Sequence, residues 1–154
     1  MDLALTYNPA LLAFDIALDG ADLATEDTLA SAMLASLFCD RQVEPYEVAE
    51  GEDRRGWWAD TYAGIPFKTG SRLWLLERNK RLPSIVKRCE QYCQEALAWL
   101  VTDELAQAVT VTVFSAKQGW LVAIIKLELA QGSRKYRFEF DEARQVWTLA
   151  GEVQ

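Results

Sequence analysis

Carboxylates are the side chains of this sequence best able to do chemistry. Glu52 and Asp53 are adjacent and Asp60 follows shortly. A glycosidase needs only two carboxylates at a suitable separation. The pattern carries little information, because a chain with 23 acidic residues offers many such pairs. Histidine is absent, which removes the commonest general base and the commonest transition-metal ligand. There is no GxSxG elbow, Walker loop, Rossmann fingerprint or Cys/His pair. The three cysteines, Cys39, Cys89 and Cys93, are odd in number and do not suggest a disulfide framework, so reduced thiols are expected. Cys89 and Cys93 would share a helix face. With no further ligands nearby, they read as small apolar core residues. The expectation is a protein that is not an enzyme and takes no metal and no cofactor.

The second candidate is the stretch GEDRRGWWADTY, residues 51–62. Trp, Tyr and Arg dominate binding hot spots, so the segment could anchor an interface. Equally, its tryptophans could pin a long loop to the core, with Arg54 or Arg55 stacked on an indole or capping a helix C-terminus. Adjacent tryptophans are expected to diverge, one of Trp57 and Trp58 turning inward and the other outward. Both readings stay open on composition alone.

The elements that must position these residues follow from periodicity. Residues 11–18 (LLAFDIAL) read as a short strand closed by the Asp19-Gly20 turn, and residues 1–7 as a weak edge strand. Thr25 is placed to cap a helix carrying Leu29, Met33, Leu34, Leu37 and Phe38 on one stripe. From residue 41 to 70 the periodicity is lost. Tyr46, Trp57, Trp58, Tyr62, Ile65 and Phe67 argue for an ordered, packed loop rather than disorder. Ser71 reads as the cap of a short helix, RLWLLER. Pro83 and Ser84 open a longer one whose stripe is Ile85, Val86, Cys89, Tyr92, Cys93, Ala96, Leu97 and Leu100.

The last third alternates with period two. AVTVTVF, WLVAIIKLELA and KYRFEF, separated by glycine-containing turns, form an antiparallel meander, with VWTLA as a fourth strand. Lys126, Glu128, Lys135, Arg137 and Glu139 solvate one face. An edge strand remains free to accept a partner strand. The fold class is α+β: a C-terminal meander packed against two or three helices, with a long ordered Arg/Trp-containing loop. Residues 1–154 are read as a single domain. The net charge of −7 argues against nucleic-acid binding. No apolar run is long enough for a membrane span, and no signal peptide is visible.

The order of motifs adds a resemblance. GADLATEDTLASAMLASLFCDRQVEP, GEDRRGWWADTY, GSRLWLLERNK and a helix ending EALAWLVTD together resemble the Mu-like phage baseplate protein family over about residues 15–115. Cys39 stands where threonine is typical. The resemblance implies a structural part of a contractile tail, similar to the wedge protein that initiates the sheath. Its partners would be other baseplate wedge proteins and the tail sheath protein, with no nucleic acid, no membrane, and self-association when isolated. Its place would be the virion tail baseplate, reached from the host cytoplasm during assembly. A small adaptor module, or a tail-associated wall hydrolase, are the competing readings. Carried onto this sequence, the motifs make Arg54, Arg55, Trp57, Trp58, Asp60, Arg72 and Trp74 the interface candidates. Arg72 is expected to pair with Asp53 or Asp60 and join the two blocks.

Overall fold

Alternation in the last third builds a four-stranded antiparallel sheet. The computed structural model describes residues 2–8, 10–11, 13–26, 29–62, 64, 68–78, 82–144 and 146–153. Six short strands come first: β1 (Asp2–Leu3), β2 (Leu5–Asn8), β3 (Ala13–Ile16), β4 (Leu18–Asp19), β5 (Asp22–Leu23) and β6 (Thr25–Glu26). They pair β1 with β6, β2 with β3 and β4 with β5, so the described residues of this N-terminal ribbon form two hairpins, β2–β3 and β4–β5, closed by the β1–β6 pair. Then come α1 (Ala30–Phe38), a 3-10 turn at Pro45–Glu47, another at Trp58–Thr61, and a 3-10 helix at Leu73–Arg78. Helix α2 (Leu82–Leu97) and the one-turn α3 (Trp99–Thr102) follow. The meander is β7 (Ala108–Lys117), β8 (Trp120–Leu129), β9 (Gly132–Asp141) and β10 (Val146–Val153), in spatial order β10-β9-β8-β7.

The expected α+β fold with a C-terminal meander is what forms. Cross-strand register sets Val111 opposite Ile125, Ile125 opposite Tyr136, and Ala123 opposite Phe138. Because side chains alternate, this register turns Val111, Val113, Ala123, Ile125, Leu127, Tyr136 and Phe138 to one buried face. Helix α2 lies over β7 and closes that face with Cys89, Cys93 and Leu97. Helix α1 adds Met33, Leu34 and Leu37. Cys89 and Cys93 are therefore core thiols, while Cys39 is an exposed one. The opposite sheet face carries the ion pairs Lys126–Glu128 and Arg137–Glu139, as its alternating charges suggest.

Three expectations need correction. Thr25 does not cap α1: it pairs with Leu3 in β6, and the helix starts at Ala30 with Leu29 in the cap position and no side-chain cap bond. Ribbon pairing takes the backbone that the helix start would have used. Ser71 does cap the RLWLLER segment, its Oγ accepting from Leu73 N–H, but the segment winds as a 3-10 helix. The loop aromatics are not packed inward: Tyr46, Trp57, Trp58 and Tyr62 are all exposed. Ile65 and Phe67 lie outside the described residues.

Phe138 is among the largest fully buried side chains. Phe138→Ala should cost about 3–5 kcal/mol through lost transfer energy and a residual cavity. A urea titration checks it, with the midpoint falling at unchanged slope.

Candidate interface: the arginine–tryptophan loop

The chain leaving α1 and the chain entering the 3-10 helix meet in a short parallel bridge between Asp40 and Ser71. Ser71 N–H donates to the Cys39 carbonyl and Arg41 N–H to the Ser71 carbonyl, both at 2.9 Å. The approach is so close that a Cβ on Gly70 (φ +91°) would sit 2.3 Å from the Cys39 carbonyl oxygen. Only glycine fits there. The Ser71 hydroxyl, fully enclosed, donates back to the Leu37 carbonyl and so also satisfies the end of α1.

From that bridge the loop is stitched inward by polar contacts. Val43 N–H donates to the Arg54 carbonyl at 3.1 Å, and Arg54 Nε donates to the Val43 carbonyl at 2.6 Å. Asp53 accepts from Arg55 N–H at 2.9 Å, holding Arg55 in the left-handed region at φ 52°. This turn aims the Arg55 guanidinium at Asp40 Oδ2, 2.8 Å away, and sets it 4.4 Å above the Trp74 ring. Trp74 is only 3 % exposed, and its Nε1–H donates to the Arg41 carbonyl at 3.0 Å. Gly56 closes the turn against Gln42, where a Cβ would come within 2.4 Å of the Gln42 Cβ.

The two sequence blocks thus meet, but through Arg55 on Trp74. Arg72 pairs with neither Asp53 nor Asp60. Its guanidinium reaches Glu47 Oε1 at 2.6 Å and forks onto both Glu95 carboxylate oxygens, while lying 4.6 Å over the Tyr92 ring. Asp60 instead accepts from Thr69 N–H and Thr69 Oγ1, each at 2.8 Å, which ties the 3-10 turn at Trp58–Thr61 to the residue before Gly70. Asp53 and Glu52 are likewise used on local backbone, Glu52 accepting from Ala49 N–H. Glu47 had a faint sequence signal: Glu44-Pro45 with a glutamate at the third helical position is a capping box, and Glu47 Oε2 does accept from Glu44 N–H. Nothing local to Glu95 pointed to Arg72.

Trp57 and Trp58 do not divide between inside and outside. Trp57 precedes a 3-10 turn that begins at Trp58, so strand-like alternation never separates them. Trp57 is 53 % exposed, Trp58 72 % and Tyr62 82 %. Their rings adjoin, with centroids 6.1 Å apart between the indoles and 6.0 Å from Trp58 to Tyr62. The candidates therefore sort into three groups. Trp57 and Trp58 are outward-facing. Arg54, Arg55, Asp60 and Arg72 are half-buried and engaged with this chain's own groups, and Trp74 is core. Among the described residues, no group of three or more His, Cys, Asp or Glu side chains is arranged to hold a metal ion.

Burial pushes the Glu47 carboxyl up, but the Glu44 backbone N–H and the Arg72 guanidinium outweigh it and hold the group below its ordinary value. Arg72 shows the converse. Burial alone would lower it, while Glu95 and Glu47 together raise it further into the always-charged range.

The family model described as Phage protein GP46 matches residues 29–134 of this chain. The Baseplate protein gp46 of Escherichia phage Mu is 44 % identical over 121 residues, covering 77 % of this chain and 82 % of that protein. The Mu-like prophage FluMu protein gp46 of Haemophilus influenzae is 39 % identical over 136 residues, covering 88 % and 93 %. No solved structure matches. Both blocks of the loop fall inside the range matched by the family model, and the N-terminal ribbon falls before it.

Two outcomes follow for the Arg72 cluster. Arg72→Met leaves Glu47 and Glu95 without their shared cation and should cost about 1–3 kcal/mol at neutral pH, read by denaturant titration. Glu47 is depressed in the folded state, so its contribution is present above the ordinary glutamate range and is lost as pH falls through the lower folded value. Melting curves between pH 7 and pH 3 should therefore fall less steeply for Glu47→Gln than for the wild type.

Proposed function

We propose, from the premise that this chain belongs to the Phage protein GP46 family of Mu-like baseplate proteins, that it is a structural subunit of a phage tail baseplate. In this reading it joins the wedge to the first ring of sheath in a contractile tail, and it acts by binding rather than by catalysis. It takes its place in the virion after folding in the host cytoplasm. The observation that carries the reading within the chain is the Trp57–Trp58–Tyr62 surface. Three large aromatic side chains stand together in solvent on a loop that is fixed from beneath by Asp60–Thr69, Arg54–Val43 and Arg55–Trp74. Rigid aromatic side chains lose little entropy on binding and give up much water, which makes them efficient anchors. Arg54, Arg55, Arg72 and Trp74 serve as the frame of this platform, and the large wedge protein is its partner.

The sheet supplies a second contact. In the order β10-β9-β8-β7, both β7 and β10 are edges, and an unpaired edge offers backbone donors and acceptors to an added strand. The sheath protein is the partner assigned to such an edge. The carboxylates that prompted a hydrolase reading are engaged in holding the loop, Glu52 and Asp53 as local turn acceptors and Asp60 on Thr69, which favours the structural role.

The test is electron microscopy of particles induced from the source strain with the gene removed. Heads without sheathed tails are expected, and normal contractile tails would sink the reading. A double replacement, Trp57→Ala with Trp58→Ala, should melt like the wild type yet bind tails about 30-fold or more weakly, the loss of at least about 2 kcal/mol typical of a hot spot. Retention of both stability and tail binding would remove the platform.

A further inference from the structure

The acidity of the chain is not spread along it. Its first forty residues hold seven acidic side chains and no lysine or arginine, whereas from Arg41 onward there are sixteen acidic and sixteen basic residues. Five of those seven, Asp2, Asp15, Asp19, Asp22 and Glu26, lie in the N-terminal ribbon, and the helix behind it carries no charge. The ribbon is fastened at its base. Leu5 N–H donates to Ser31 Oγ at 2.8 Å, and Phe14 stacks on Phe38 with centroids 5.4 Å apart. Beyond that base it reaches a tip that suits water poorly. In β4–β5, Leu18 pairs across the ladder with Leu23, and Asp19 with Asp22. Both leucines are exposed, Leu18 by 74 %, and Ile16, two residues before Leu18, is exposed as well. Like charges directly opposite one another on a ladder repel, and so short a ribbon is marginal in water. A tip with a bare leucine pair beside two facing aspartates stabilises this chain little. Both features turn favourable against a surface that supplies apolar contact and positive charge together.

We propose that the N-terminal ribbon, residues 2–26, is an acidic docking arm that seats in an apolar groove rimmed by lysine and arginine on another protein. Leu18, Leu23 and Ile16 fill the groove. Asp15, Asp19 and Asp22 meet its rim, which relieves the Asp19–Asp22 repulsion and speeds encounter by steering. A phosphate-bearing partner, whether nucleic acid or anionic membrane, is disfavoured by the same charge. The arm is separate from the aromatic platform, and the baseplate reading enters only in where the partner is sought.

A photo-crosslinking amino acid in place of Leu18, in cells producing the complete tail, reads this out. The expected result is an adduct with a different protein, on a peptide flanked by lysine or arginine. Its yield should fall tenfold or more when Asp15, Asp19 and Asp22 are all replaced by lysine, and again when Leu23→Ser is introduced. Both variants should keep the wild-type Tm, because these side chains are exposed. No adduct, an adduct with a second copy of this chain, or an adduct that survives the charge reversal overturns the proposal. Whether the wild-type chain copurifies with tails is scored separately. Its absence there would count against the baseplate reading and leave the arm result standing on its own.

Discussion

The arrangement of the loop depends on one backbone junction, where the residues leaving α1 pair with those entering the 3-10 helix at Asp40 and Ser71. Two hydrogen bonds and one glycine make it, and Gly70 is required because a Cβ would collide with the Cys39 carbonyl. That junction brings Trp74 under Arg55 and Arg72 between Glu47 and Glu95. Residues separated by 25 and 23 positions thereby become one cluster. The described residues between Val43 and Thr69 hang between the two sides of this bridge, so the loop is long in sequence but short in span.

Magnitudes explain why the loop is held by polar groups. Burying an indole removes about 150–250 Å² from water, worth several kcal/mol at about 25 cal/mol per Å². Leaving Trp57 and Trp58 more than half exposed forgoes much of that. A net hydrogen bond returns only about 1 kcal/mol, so the Arg54, Asp53 and Asp60 contacts fix the shape of the loop without replacing the missing burial. The chain therefore keeps a preformed aromatic surface, and the platform proposed for it would recover that stabilisation on contact with a partner. Preformed surfaces bind better because little order remains to be imposed.

Much of the fold was legible because it obeys simple periods. Tyr136, Phe138 and Phe140 alternate with Lys135, Arg137 and Glu139, and the sheet buries the first set. The stripe from Ile85 to Leu100 repeats with the helical period and is buried almost throughout. The errors came where a distant partner overrode a local signal. Thr25 has the chemistry of a helix cap but is taken by a ladder with Leu3. Arg72 had acidic candidates in the neighbouring block, Asp53 and Asp60, yet its partners are Glu47 in the 3-10 turn at Pro45–Glu47 and Glu95 on α2, both more than twenty residues away in the sequence. Arg55 on Trp74 was foreshadowed in kind, since arginine beside indole is a recurring pair, but the ring it covers belongs to the other block. The outward turn of both Trp57 and Trp58 depends on a 3-10 turn that no periodicity announces.

Hydroxyl-radical footprinting of Trp57, Trp58 and Tyr62, in the free chain and in purified tails, decides whether the aromatic surface is preformed and then covered. Fast labelling of all three is expected in the free chain, with strong protection of the tryptophans in the tail. Tryptophans already protected in the free chain, or still fully reactive in tails that contain it, would rule the aromatic platform out.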